Sequence, residues 1–198
     1  MDRNGTILKI FEYWQSRLTG NCLPSRADIL PGELRELLPF LFMADVTNTA
    51  PMGTGLHLRL AGTHIGRALG LDLTGCPVGG IAKHWRDFTI GRDLFEAAGQ
   101  RCAIVSTHEF RASTITGKTS PQQQRPAYLR YHRVVLPLAA DGRHVDRIMG
   151  ALVAEAYENT PLLWHGPYEF NEQSRRILTV PRCLGLNAMA SRERQVPA

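Results

Sequence analysis

The chain has 198 residues, 43% hydrophobic and 21% charged, and 23 Lys and Arg against 18 Asp and Glu give it a net charge of +5. This balance suits one soluble domain with a flanking segment, able to bury a core and far from the apolar-poor composition of disordered chains. The longest apolar stretch, Leu37 to Ala44, is eight residues and holds Pro39, so no membrane span is expected.

In chain order, Ile7, Leu8, Ile10, Phe11, Trp14 and Leu18 recur at spacings of three and four, which predicts a helix ending near Gly20. Its stripe from Ile7 through Phe11 and Trp14 to Leu18 needs a covering surface, and a homodimer partner would supply one. Leu23 to Pro31 cannot stay helical between its prolines, and a short helix over 32–38 follows. Phe40 to Val46 reads as a strand and Thr47 to Gly55 as a turn region. Leu56, Leu58 and Leu60 then alternate with His57 and Arg59, the period of a strand with one buried face. These two strands form a first hairpin.

From Gly62 to Gly99 the pattern turns helical, with Ile65, Leu69, Ile81, Trp85, Phe88, Ile90, Leu94 and Phe95 as the expected buried set. A tight loop over 70–75 interrupts it. Strands follow over 103–112, 127–138 and 145–157, the last two joined through Asp141-Gly142. The predicted fold is α+β: a five-stranded antiparallel sheet with helices on one face, plus an N-terminal helix. The divisions are 1–22 for that helix, 23–158 for the domain and 159–198 for a C-terminal extension broken by Pro161, Pro167 and Pro181, with one short helix over 172–180. Within 173–198, Arg175, Arg176, Arg182, Arg192 and Arg194 face Glu193 alone. The positive surplus therefore lies on this extension, read as solvated, and no aromatic-lined groove suggests nucleic acid.

Leu23-Pro24-Ser25-Arg26-Ala27-Asp28-Ile29-Leu30-Pro31, Leu37-Leu38-Pro39-Phe40-Leu41-Phe42, Arg59-Leu60-Ala61-Gly62-Thr63 and Gly70-Leu71-Asp72-Leu73-Thr74-Gly75 together resemble a bacterial family of mostly stand-alone PAS-domain proteins. The resemblance runs over roughly 10–157. It implies a small sensory or interaction module whose pocket, between sheet and helices, takes a ligand, and whose flanking helices pair protomers. It implies no particular ligand or cofactor. Arg26 and Asp28 are candidates for an ion pair anchoring the N-terminal segment.

Motifs for chemistry are sparse. Gly62, Gly66 and Gly70 fit neither the dinucleotide nor the phosphate-loop fingerprint, and read instead as a strand end, a packing position and a helix end. No GxSxG occurs, and Ser106-Thr107-His108 alternates between strand faces. The seven histidines form no HxH or HExxH, so no metal site is expected. Four widely spaced cysteines, 22, 76, 102 and 183, with no secretory start point to reduced thiols in a cytoplasmic protein. Under the PAS resemblance, His64 and His84 stand where an axial haem ligand would be sought, while Cys76, before Pro77, does not suit a flavin adduct. Trp85, Phe88, Phe95 and Tyr131 line either a pocket, with those two histidines, or a plain core. The expected function is non-catalytic: a signalling module that binds a small molecule or a protein partner and acts in trans. The alternative is a constitutive interaction scaffold with a side-chain-filled pocket. A small enzyme using His, Glu109 or Glu155 is the third reading.

Overall fold

A computed structural model describes residues 3–49, 53–69, 72–78, 88–112, 128–156 and 168–180. Helix α1 (Arg3–Ser16) leads into three short 3-10 turns, Arg26–Asp28, Pro31–Leu34 and Leu38–Phe40. Strands β1 (Leu41–Thr49) and β2 (Gly53–Ala61) follow, then helices α2 (Thr63–Leu69) and α3 (Phe88–Gln100), then β3 (Cys102–Ala112), β4 (Tyr128–Leu138), β5 (Arg147–Ala156) and β6 (Tyr168–Thr179). All six strands form one antiparallel sheet in the order β2-β1-β5-β4-β3-β6. The five expected strands are all present, the first hairpin pairing Val46 with Leu56 and Asp45 with His57.

The sixth strand corrects the reading of 172–180 as a helix. Its Glu, Gln, Arg and Leu content favours a helix locally, but β3 offers an edge ladder, and β6 pairs along it from Cys102–Thr179 to Ala112–Tyr168. Backbone groups that would otherwise need water decide the outcome.

Strand alternation gives the sheet two buried faces. On one, α2 and α3 lay Ile65, Ile90, Leu94 and Ala97 over Phe42, Leu56, Leu58, Ile104, Val135, Ile148 and Leu152. On the other, Ile7, Ile10 and Trp14 of α1, with Leu23, Ile29 and Leu34 of the turns, cover Val134, Leu136, Met149 and Val153. Trp14 Nε1 donates to Pro137 O at 2.9 Å. Pro137 lies beyond the last β3–β4 pair, Ile104–Val135, so its missing N–H costs that ladder nothing.

This packing revises the dimer expectation drawn from the helix stripe. Ile7 and Trp14 are buried against the chain's own sheet and Phe11 and Leu18 pack partly buried around them, while Leu8 is the exposed apolar residue of α1. The surface that the stripe needed is intramolecular.

Two smaller expectations also change. Arg26 donates to Ile29 O at 2.9 Å, and Asp28 accepts from the N and Oγ of Ser25 at 2.7 and 2.8 Å. Each closes its own turn, and they do not pair with each other. Cys22 is disulfide-bonded whereas Cys76 and Cys102 are free. The expectation of reduced thiols therefore does not hold for Cys22, and Cys183 lies outside the described residues.

Glycine is required where backbones meet. A Cβ on Gly62 would stand 2.5 Å from Leu38 O, and one on Gly150 would stand 2.5 Å from Val134 O and also strike the Phe42 ring. Among the described residues no helix is long and apolar enough to cross a membrane.

Candidate functional site

The face beneath α3 is apolar toward β1 and β2 and becomes polar toward β3 and β6. On α3, Ile90, Asp93, Leu94 and Ala97 share the inward stripe by their spacing, and all four are buried. On β4, Tyr131 and Arg133 share parity with the core residue Val135, and on β3 Ser106 and His108 share parity with Ile104. Strand alternation thus turns an arginine, a histidine, a tyrosine and a serine toward the one acidic residue on the buried stripe of the helix.

Asp93 is the hub. Its Oδ2 accepts from an Arg133 Nη at 2.5 Å and from Ser106 Oγ at 3.2 Å. Its Oδ1 accepts from Arg175 Nε at 2.9 Å, and from the more exposed Arg92 at 3.2 Å. Arg175 also pairs with Glu96, and Arg92 with Glu172. Burial alone would raise the Asp93 pKa, but the Arg133 and Arg175 guanidiniums outweigh it and hold the carboxyl below its ordinary range. The same contacts overcome desolvation at Arg175 and raise its pKa.

Arg133, with no side-chain exposure, also reaches His108 Nε2 at 3.2 Å. A guanidinium only donates, so this contact requires Nε2 as the acceptor, which assigns the ring proton to Nδ1. The His108 ring stacks on Tyr131 at 5.0 Å between centroids, and Arg133 lies 5.7 Å from the same tyrosine ring. The result is a buried set of donors and acceptors joined to an aromatic stack. It can orient a polar group. Among the described residues no three His, Cys, Asp or Glu side chains group as a metal site.

Of the residues predicted from sequence, Tyr131 belongs to this cluster. His64 lies elsewhere: its Nε2 accepts the Ala154 amide at 3.1 Å and its ring packs 4.6 Å from Phe40. That nitrogen is engaged by the backbone of β5. Phe95, expected as pocket lining and core, is 42% exposed, a correction explained by its place on the outer side of α3, one residue past Leu94. His84 and Trp85 lie outside the described residues, and so does the side chain of Phe88, the first residue of α3. Ser106 and His108 were considered only as part of a catalytic triad and set aside, and Asp93 and Arg133 were missed. Their signal was available as charge at inward parity: Asp93 within the Ile90–Leu94–Ala97 stripe and Arg133 two residues before Val135.

The opposite face carries a second polar group. Thr107 Oγ1 and His132 Nδ1 are 2.9 Å apart, His132 Nε2 is 3.6 Å from Glu155, and Gln173 donates to Glu109 at 2.9 Å. The two glutamates considered for acid–base chemistry therefore lie on the face away from Asp93. Arg175, counted with the solvated basic extension, is drawn instead into the ion-pair cluster at 17% side-chain exposure.

A family model described as PAS domain matches residues 2–153. Comparison with curated proteins and with solved structures gave no match. The matched span takes in α1 and strands β1 to β4 and runs into β5 as far as Val153, leaving out the end of β5 and all of β6.

Proposed function

Because the chain belongs to the PAS domain family, a family of sensory and interaction modules, we propose that it works by recognition and not catalysis, binding a small molecule between α3 and the sheet and passing the change to a protein partner in trans. The observation that carries this reading is the buried group Asp93, Arg133, His108, Tyr131 and Ser106. Buried polar and charged side chains cost stability relative to an apolar core of similar volume. Their placement on the helix-covered face, where the rest of the lining is apolar, matches the make-up of a binding site: an apolar wall with a few placed hydrogen-bonding groups. A ligand with an acceptor-rich polar head and an apolar body fits that division.

A second reading is a constitutive interaction scaffold whose interior is closed by its own side chains. Its support is that Tyr131 and Arg133 are among the largest fully buried side chains. Native mass spectrometry of the full chain separates the two. A discrete retained mass that is lost in R133M supports ligand sensing. An apo protein whose melting temperature no carboxylate or heterocycle library member raises supports the scaffold.

A further inference from the structure

Strand β6 is attached to the domain differently from its neighbours. The inner strands are fixed by side chains buried on both faces, with Ile104, Val134, Val135 and Leu136 at 0% exposure. On β6, Ile177 and Leu178 are 43% and 46% exposed and point to opposite faces by strand alternation, so over 172–179 neither is an apolar anchor, and the buried Val180 lies just past the strand's end. Among the described residues, polar links hold it. One is the ladder to β3, interrupted by a register shift at Thr107/His108. Others are the hydrogen bond from Gln173 to Glu109, the pair of contacts from Arg175 to Asp93 and Glu96, and the pair of Glu172 with Arg92. Every one of these ion pairs ends on α3.

We propose that β6 is an electrostatically latched strand that undocks from β3 as one unit while β1 to β5 stay folded, with the ion pairs to α3 setting how often it opens. The strand closest to release is the one held mainly by exposed hydrogen bonds and ion pairs, the low-stability end of the range of local openings in a folded protein. Since Asp93 binds both Arg133 and Arg175 through different oxygens, any movement of α3 that displaces Asp93 also weakens the β6 latch. Release bares the backbone edge of β3 and takes Arg175 away from Glu96 and Asp93, while Asp93 keeps Arg133 and Ser106. The interior beneath α3 is thereby coupled to an edge of the sheet.

Hydrogen exchange read by mass spectrometry on the full chain tests this. In wild-type protein, peptides within 172–179 should exchange ahead of those from β4 and β5. R175Q, which leaves the Asp93–Arg133 pair in place, should speed exchange in 172–179 by about tenfold with β4 and β5 unchanged, and R175K should recover part of the protection. Raising salt to about 1 M, where the screening length falls to about 3 Å, should act in the same direction. V153A, a core truncation on the α1-covered face, serves as the control that loosens all strands together. The proposal is overturned if β6 is as protected as β4 and β5 in wild type, or if R175Q reproduces the uniform pattern of V153A.

Discussion

Asp93 and Arg133, forty positions apart in sequence, meet at 2.5 Å between α3 and β4 with neither side chain exposed to solvent. A buried pair of this kind is worth little against apolar side chains of equal volume, yet losing one partner leaves a charge stranded. D93N should therefore cost about 3–5 kcal/mol. Urea denaturation provides the measurement, and a loss below about 1 kcal/mol would mean that the four donors on Asp93 are not held as described.

The same carboxylate predicts an acid limb of stability. Its pKa in the folded chain lies below the ordinary value, through Arg133 and Arg175 acting against burial. The stabilisation is then fully present above the unfolded value near about 3.9 and is lost as pH falls through the lower folded value. Melting temperatures recorded from pH 7 down to pH 2 should fall more steeply below about pH 4 in wild type than in D93N; parallel curves would remove Asp93 as the cause.

Trp14 should matter for folding and not for assembly. W14A removes a buried indole and its bond to Pro137 O, a loss of about 3–5 kcal/mol by analogy with other large-to-small aromatic truncations. Light scattering on the folded fraction should show the same protomer number as wild type. A folded, stable W14A protein with a changed protomer number would restore the dimer role once drawn from the stripe.

His64 should act as a backbone cap. The β1–β5 ladder ends at Leu41–Ala151, and three residues farther along β5 the Ala154 amide donates to His64 Nε2. H64A should cost about 1–3 kcal/mol, the range for a buried donor losing its acceptor, and should speed exchange at the Ala154 amide. An unaltered Ala154 amide would refute the cap.

Gly150 lies between the Phe42 ring and Val134 O. G150A should destabilise by about 1–3 kcal/mol through overpacking, and truncating the ring in F42A should relieve part of that cost in a double-mutant cycle.

The frame was legible where local pattern and tertiary environment agree. Leu56 and Leu58 alternate in sequence and are buried in the sheet, and the Asp141-Gly142 turn separates β4 from β5 with Gly142 at φ 72°. The stripe of α1 was equally plain, but periodicity gives a buried face without saying what covers it, and here the cover is β4 and β5. At 172–180 propensity and environment disagree, and the ladder of β3 overrode the helix formers. The site was the least legible part. Asp93, Ser106, His108, Arg133 and Arg175 come from four elements, and a search for short motifs cannot see a cluster that strand parity assembles. A charged residue at a core parity is the better signal, and Arg133 carried it.

Strand β6 lies beyond the residues that match the family model, yet it occupies the whole outer side of β3, an eleven-residue strand rich in β-branched and apolar side chains. A shortened chain ending at Ala156 would keep the helices on both faces, losing Val180 from the α1 side, while leaving that side of β3 open to any other extended chain, the arrangement that promotes aggregation. The latch on β6 thus also governs colloidal behaviour: salt, acid or loss of Arg175 that loosens the strand would show first as turbidity at high protein concentration, well before the interior gives way.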